Sequence, residues 1–205
     1  MVMRRYPSKS VLLAGVLLCS AAGVAAGFLQ TFRYEGTPGR PAAAGDMWPE
    51  KSALHRSGGK PTLVLALHPE CPCSKATVAE LARMLSKVGE VNCYALFESV
   101  ADNATGGDGG GGADVKQSGL WKAAAAIPGV QAIDDRAREA VQVFGAETSG
   151  QVLVYSPEGK LVFQGGITDG RGHEGDNDGL NALETYLLTG KVVCDRTPVY
   201  GCSLH

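Results

Sequence analysis

The stretch 62-TLVLALHPECPCSKATVAELARML-85 decides how this chain is read. Thr62 to Leu67 is a short continuous apolar run with β-branched members, which suits a strand covered on both faces. Beyond the cysteines, Val78, Leu81, Ala82, Leu85 and Val88 recur at three- and four-residue spacing, marking one buried stripe of a helix that Gly89 is expected to end. Cys71 and Cys73 flank a single proline, Pro72, at the joint between the two elements. A cysteine at a helix N-terminus feels unpaired backbone N–H groups and the positive end of the macrodipole, and both favour thiolate over thiol. The thiolate is the attacking species in disulfide exchange, so Cys71 is the expected nucleophile and Cys73 the expected resolving thiol. Bridging them closes a very small ring that must bend at Pro72, and strain of that kind makes a disulfide easier to reduce.

Outward from this joint, Val91 to Phe97 returns to strand character, which completes the start of a βαβ unit. Cys93 lies inside that strand and reads as an inert core thiol. The segment 105-TGGDGGGGAD-114 is a flexible surface loop by composition, without the Lys-Ser/Thr pair of a phosphate-cradling loop. Asn103-Ala-Thr105 matches a glycosylation sequon. Trp121 to Ile127 predicts a short helix stopped by Pro128-Gly129, Val130 to Asp134 a strand, and Arg136 to Phe144 a helix closed by Gly145. In 151-QVLVYSPEGKLVFQGGI-167 two strands surround Ser156-Pro157-Glu158-Gly159, residues placed where a type I turn favours them. Leu180 to Leu188 supplies a last helix.

At the N-terminus Arg4, Arg5 and Lys9 precede an uncharged run from Val11 to Leu29, about the length of a bilayer-spanning helix. Basic residues on that side keep it in the cytoplasm and send the chain beyond Leu29 outward. The run reads either as an uncleaved signal anchor or, with Gly23 and Ala25 at the small-residue spacing of a cleavage site, as a signal peptide. Cys19, preceded by bulky Leu18, is a poor lipidation site and reads as apolar filler. The expected organisation is therefore 1–29 anchor or signal, 30–60 a Gly/Pro/Ala-rich tether, 61–190 the folded domain and 191–205 a cysteine-containing tail. A net charge of −2 provides no basic face for nucleic acid. Outside the cytoplasm disulfides persist, and with Cys19 set aside the five cysteines 71, 73, 93, 194 and 202 are odd in number. Cys194 and Cys202 bracket 195-DRTPVYG-201, so a local structural disulfide is the favoured expectation, with Cys202 as a third redox thiol beside Cys71 or Cys73 as its competitor.

The order βαβ, α, β-hairpin, α, with a Cys motif at a helix start, resembles membrane-anchored extracytoplasmic thioredoxins over residues 60 to 190. More narrowly, His68-Pro69-x-Cys71-Pro72-Cys73-Ser74, Thr148-Ser149-Gly150, Gly165-Gly166-Ile167-Thr168, Arg171-Gly172-His173 and Gly201-Cys202 resemble the RedB-type branch of that superfamily. The resemblance implies an α/β, three-layer thioredoxin-like fold with a central mixed sheet. It also implies a thiol:disulfide oxidoreductase without a cofactor, facing the periplasm or another extracytoplasmic space. Its expected partners are client protein thiols and disulfides, and a redox partner. The motif is Cys-x-Cys where ordinary thioredoxins have Cys-x-x-Cys, and Ser149 stands where they place a cis-proline. Supporting roles around the thiols fall to His68, Pro72, Thr148, Ser149 and His173, and for the loop 169–179 the resemblance adds one reading among three, that Arg171 and His173 fold over the site.

Two other chemistries are open to the same residues. His68, Cys71 and Cys73 offer soft ligands for Cu(I), with His173 as a distant fourth, as in copper-delivery proteins of the same fold. A thiol peroxidase variant is open too, although no Arg and Thr set precedes Cys71. His68 itself reads either as a strand-end histidine bonded to backbone or as a protonated neighbour of the thiolate. Glu174, Asp176, Asp178 and Gly179 fit half of a calcium loop, against a plain reading as a solvated loop with Asp178 capping the last helix.

Overall fold

The computed structural model describes residues 9–56, 58–89, 91–98 and 114–204, in two units that divide after Thr37. The sequon at Asn103 and nearly all of the glycine-rich loop lie outside the described residues. The first unit is helix α1, Lys9–Glu35, with no buried residue. Its 27 residues make it long and apolar enough to cross a membrane. The helix runs past Leu29 because Gln30 to Glu35 contain no helix breaker before Gly36.

The second unit is built on a five-stranded sheet in the order β3-β2-β1-β4-β5. Strand β1, Thr62–Leu67, is central and buried at all six positions, as its unbroken apolar run demands. It pairs in parallel with β2, Asn92–Phe97, and antiparallel with β4, Gln151–Tyr155, so Leu65 faces Ala95 on one side and Val152 on the other. Strand β3, Val130–Asp134, lies parallel to β2, and β5, Leu161–Gly165, antiparallel to β4. Between β4 and β5 the turn closes where expected: Ser156 N–H donates to the Lys160 carbonyl at 2.8 Å and Gly159 N–H to the Ser156 carbonyl at 2.9 Å.

Alternation along the strands divides the core. Leu63, Leu65 and Leu67 face one side, with Val78, Leu81 and Met84 of helix α2 (Pro72–Leu85), Leu120 and Ala124 of α3 (Gly119–Ala125), and Leu180 and Leu183 of α5 (Asp178–Thr189). Val64 and Ala66 face the other, with Val141 of α4 (Glu139–Val143), Phe144 and Leu204. This is a mixed-sheet, three-layer α/β fold.

Several boundaries differ from the expectations, each for a local reason. Helix α2 stops at Leu85 rather than Gly89, where Lys87 N–H bonds the Met84 carbonyl three residues back at 2.9 Å, a tightened turn in place of the i−4 bond that would continue the helix. Helix α4 begins at Glu139, not Arg136. Arg138 adopts a left-handed φ of 59°, and the Asp135 carboxylate accepts Ala140 and Val141 N–H at 3.1 and 2.8 Å. The cap of α5 is Asn177, whose Oδ1 accepts Leu180 N–H at 2.9 Å, while Asp178 takes the first helical position.

Residues 38–60 of the expected tether, and the expected tail, are part of the packed unit, whereas 30–35 continue α1. Ala42, Ala44, Trp48 and Leu54 cover the second core, with Trp48 edge-on to Phe144 and Tyr155 at centroid distances of 4.9 and 5.1 Å. Residues 195–199 run beside β5, where Gln164 N–H donates to the Asp195 carbonyl at 2.9 Å and Gly166 N–H to the Pro198 carbonyl at 3.1 Å. The chain then turns back so that Thr148 bridges Ser203 and Leu204 N–H donates to the Glu147 carbonyl at 3.1 Å. Composition alone hid this segment, since its ordering comes from a sheet edge far away in sequence.

Candidate active site

Cys71 is the N-cap of α2 and Pro72 occupies its first turn, a position where proline's missing N–H costs nothing. The strand end and helix start are tied together: Ser74 Oγ accepts His68 N–H at 3.0 Å, and Cys71 N–H donates to the His68 carbonyl at 3.2 Å. The result is a rigid corner that leaves Cys71 and Cys73 each only 3% exposed.

The opposite wall comes from the loop before β4. Ser149 is fully buried, and its Oγ donates to Cys71 Sγ at 3.1 Å while accepting Cys202 N–H at 2.9 Å. Ser149 N–H donates in turn to the Cys202 carbonyl at 2.8 Å. Gly150 holds a φ of +84° with its N–H on the Ala66 carbonyl at 2.7 Å, which turns the chain from this contact into β4. Gly201 packs so closely on the Ser149 carbonyl that a side chain there has no room. Cys202 Sγ thereby sits 3.1 Å from Cys71 Sγ.

These contacts set the acidity of the site. The Cys71 pKa falls from 9.0 to about 3, first because the Cys73 thiol donates to its sulfur; burial opposes this, and Ser149, Cys202 and the Ser74 backbone N–H reinforce it. The sequence expectation rests on helix amides, yet a neighbouring thiol contributes more than the amide. Cys73 moves strongly the other way, mainly because it donates to Cys71 and also because it is buried, despite the Gly172 backbone N–H that reaches it. Cys202 is pushed up by burial and by its donation to Cys71. One sulfur is thus an anion at neutral pH and two keep their protons. Cys93, wholly buried in β2, is pushed up to about 12 by burial alone, which makes it inert as expected.

The loop 169–179 covers the third side. Arg171 donates to the Gly201 carbonyl, and Gly172, left-handed at φ 71°, packs against Pro72. The loop is held from below by Glu80, a fully buried carboxylate on α2 that accepts Gly175 N–H and pairs with Arg83. Glu80 is a residue that the motifs do not single out. A signal for it exists, since it lies three residues after Thr77 and four before Met84, on the buried face of α2. On the open side, Cys71 borders a groove of about 450 Å³ lined by Pro69, Pro72, Lys75, Leu120 and Ala123.

The remaining expected residues fall into place unevenly. His68 Nδ1 accepts Glu70 N–H at 3.4 Å, the backbone-bonded reading. Thr148 donates to the Arg40 carbonyl at 2.8 Å, and His173 N–H to the Gly170 carbonyl at 3.3 Å. Among the described residues no group of three or more His, Cys, Asp or Glu side chains is arranged to hold a metal ion, so neither the copper set nor the calcium half-loop is assembled. Cys194 does not meet Cys202 as a local staple: its thiol donates to the Arg196 carbonyl at 3.1 Å, and the strand-like pairing of 202–204 carries Cys202 to Cys71 instead.

The chain matches no protein-family model, and no curated protein matches it. Among solved structures it is similar to a hypothetical protein from Sinorhizobium meliloti 1021, at 20% identity over 82% of this chain and 93% of that one, with a TM-score of 0.55. An uncharacterized conserved protein from Geobacillus kaustophilus is similar at 18% identity, covering 83% and 90% of the two chains with a TM-score of 0.54. The thioredoxin domain of a thiol-disulfide oxidoreductase from Bacteroides vulgatus gives 18% identity, 74% and 98% coverage, and a TM-score of 0.39. The likeness to the first two is one of fold.

Proposed function

We propose that this protein is a membrane-tethered, extracytoplasmic thiol:disulfide oxidoreductase in which Cys71 is the attacking thiolate. The observation that carries the reading is the set of donors around Cys71 Sγ, from Cys73, Ser149, Cys202 and the Ser74 amide. A sulfur held ionised at neutral pH at a helix N-terminus, beside an open groove, is equipped to attack a disulfide presented by an extended client segment. No metal or organic cofactor enters this chemistry. Helix α1 supports the tether, and Arg4, Arg5 and Lys9 before its apolar run support an outward-facing domain. The Cys-Pro-Cys motif together with Ser149 and Gly201-Cys202 favours the RedB-type branch of the thioredoxin-like proteins.

The test is a redox titration of the full chain in detergent against glutathione buffers, with turnover of a peptide disulfide measured on the same preparation. Reversible two-electron cycling that disappears in Cys71→Ser is the expected result. A chain that neither cycles nor turns over the peptide overturns the reading.

A further inference from the structure

Resting on the proposed function, we infer that the resolving thiol of this site is Cys202, and that the enzyme cycles through a Cys71–Cys202 disulfide rather than one closed within the Cys-Pro-Cys motif. Three observations carry the inference. The Cys71 and Cys202 sulfurs are 3.1 Å apart, and closing by about 1 Å reaches disulfide bond length. Cys202 is held there by a built support: reciprocal bonds with Ser149 at 2.8 and 2.9 Å, the Thr148–Ser203 bridge, Leu204 on Glu147, and Arg171 on the Gly201 carbonyl. Finally, Cys202 is half-buried while Cys71 and Cys73 are buried, so it is the most exposed of the three residues to a regenerating dithiol.

The contrast with Cys73 is one of geometry. Cys71 is extended, at φ −83° and ψ 123°, whereas Cys73 is already inside α2, with only Pro72 between them. A bridge between those two must distort the first turn of the helix, while one to Cys202 joins separate elements already in contact. Cys73 is a positioning residue in this scheme: it donates to the Cys71 thiolate of the reduced site.

The reaction balances as two exchanges. The Cys71 thiolate attacks a client disulfide, the client S–S bond breaks, and a Cys71–client bond forms as one client sulfur departs as thiolate and takes the Cys202 proton. Cys202 then attacks Cys71 Sγ, the Cys71–client bond breaks, and the second client sulfur leaves, to be protonated from water. Two electrons have passed from the Cys71–Cys202 pair to the client. A dithiol reductant returns them by the reverse exchange.

Tryptic peptides of the full chain separate the possibilities, because Cys71 and Cys73 share residues 57–75, Cys194 lies in 192–196 and Cys202 in 197–205. The reduced protein in detergent is oxidised with oxidised glutathione, quenched in acid, alkylated and digested. The expected product is 57–75 linked to 197–205, present in wild type and in Cys73→Ser and absent from Cys71→Ser. In Cys202→Ser, glutathione should remain bound at Cys71, with release slowed at least about tenfold. A 57–75 peptide oxidised within itself, or 197–205 linked to 192–196, overturns the inference while leaving the oxidoreductase reading in place. Even if a variant folds poorly, the wild-type map separates a bridge to Cys202 from one within the motif, and fragmentation of the linked pair assigns the bridge to Cys71, as expected, or to Cys73, which overturns the inference. Absence of any oxidation at Cys71 overturns both.

Discussion

Ser149→Ala is the sharpest test of how this site makes an anion. The hydroxyl donates to Cys71 Sγ at 3.1 Å inside a fully buried pocket, so its loss removes one charge-assisted hydrogen bond and leaves no water in exchange. Bonds of this kind are worth about 1.5–3 kcal/mol. At about 1.36 kcal/mol per pKa unit, the Cys71 pKa should rise from about 3 to about 4–5. The same change strips Cys202 N–H of its acceptor, which should cost a further ~1–3 kcal/mol of stability. Ultraviolet thiolate absorbance and iodoacetamide alkylation of the reduced protein, each measured against pH, read the first effect. Urea unfolding reads the second. A titration midpoint that stays put or falls would show that Ser149 does not hold the thiolate, and with it the assignment of this loop to the active site would go.

The same contacts determine three other outcomes. Because the folded Cys71 pKa is depressed below its unfolded value of 9.0, the stability it contributes is fully present above that value and lost as pH falls toward about 3. The urea midpoint of the reduced protein should therefore rise with pH across this window more steeply than that of Cys71→Ser. A stabilised thiolate also favours the reduced state, so equilibration with glutathione should place the potential above thioredoxin's value of about −270 mV; a more negative value would contradict the acidity assigned to Cys71. In Gly201→Ala the new Cβ runs into the Ser149 carbonyl, which should cost about 1–3 kcal/mol in urea unfolding and separate Cys202 from Cys71. Retention of wild-type stability and of the 57–75 to 197–205 link would show that this contact is not tight.

The elements that sequence places well are those whose signal is local. Strand β1 matches its apolar run at both ends, and the Ser156–Gly159 turn closes as its residue types require. Cys71 at the helix start is equally legible from a strand meeting an amphipathic helix. What stays hidden is contributed from a distance. Cys202 is 131 positions from its partner, and nothing near 195-DRTPVYG-201 signals that β5 and the 147–149 loop draw that segment across the site. A nearby Cys194 invites a local pairing, because spacing reports reach and not direction. Glu80 is an intermediate case: the helical period places it on the buried face, but its partner, the Gly175 amide, belongs to a loop whose path no periodicity describes.

The division of the core into two faces has an optical consequence. The chain has two tryptophans, and they lie on opposite sides of the sheet: Trp121 of α3 against Phe97, on the face that α2 covers, and Trp48 among Phe144 and Tyr155. Each layer therefore holds its own built-in fluorophore. Replacing either one by phenylalanine leaves a single-colour reporter, able to tell whether the sulfur-bearing half loosens before the other when the protein is heated.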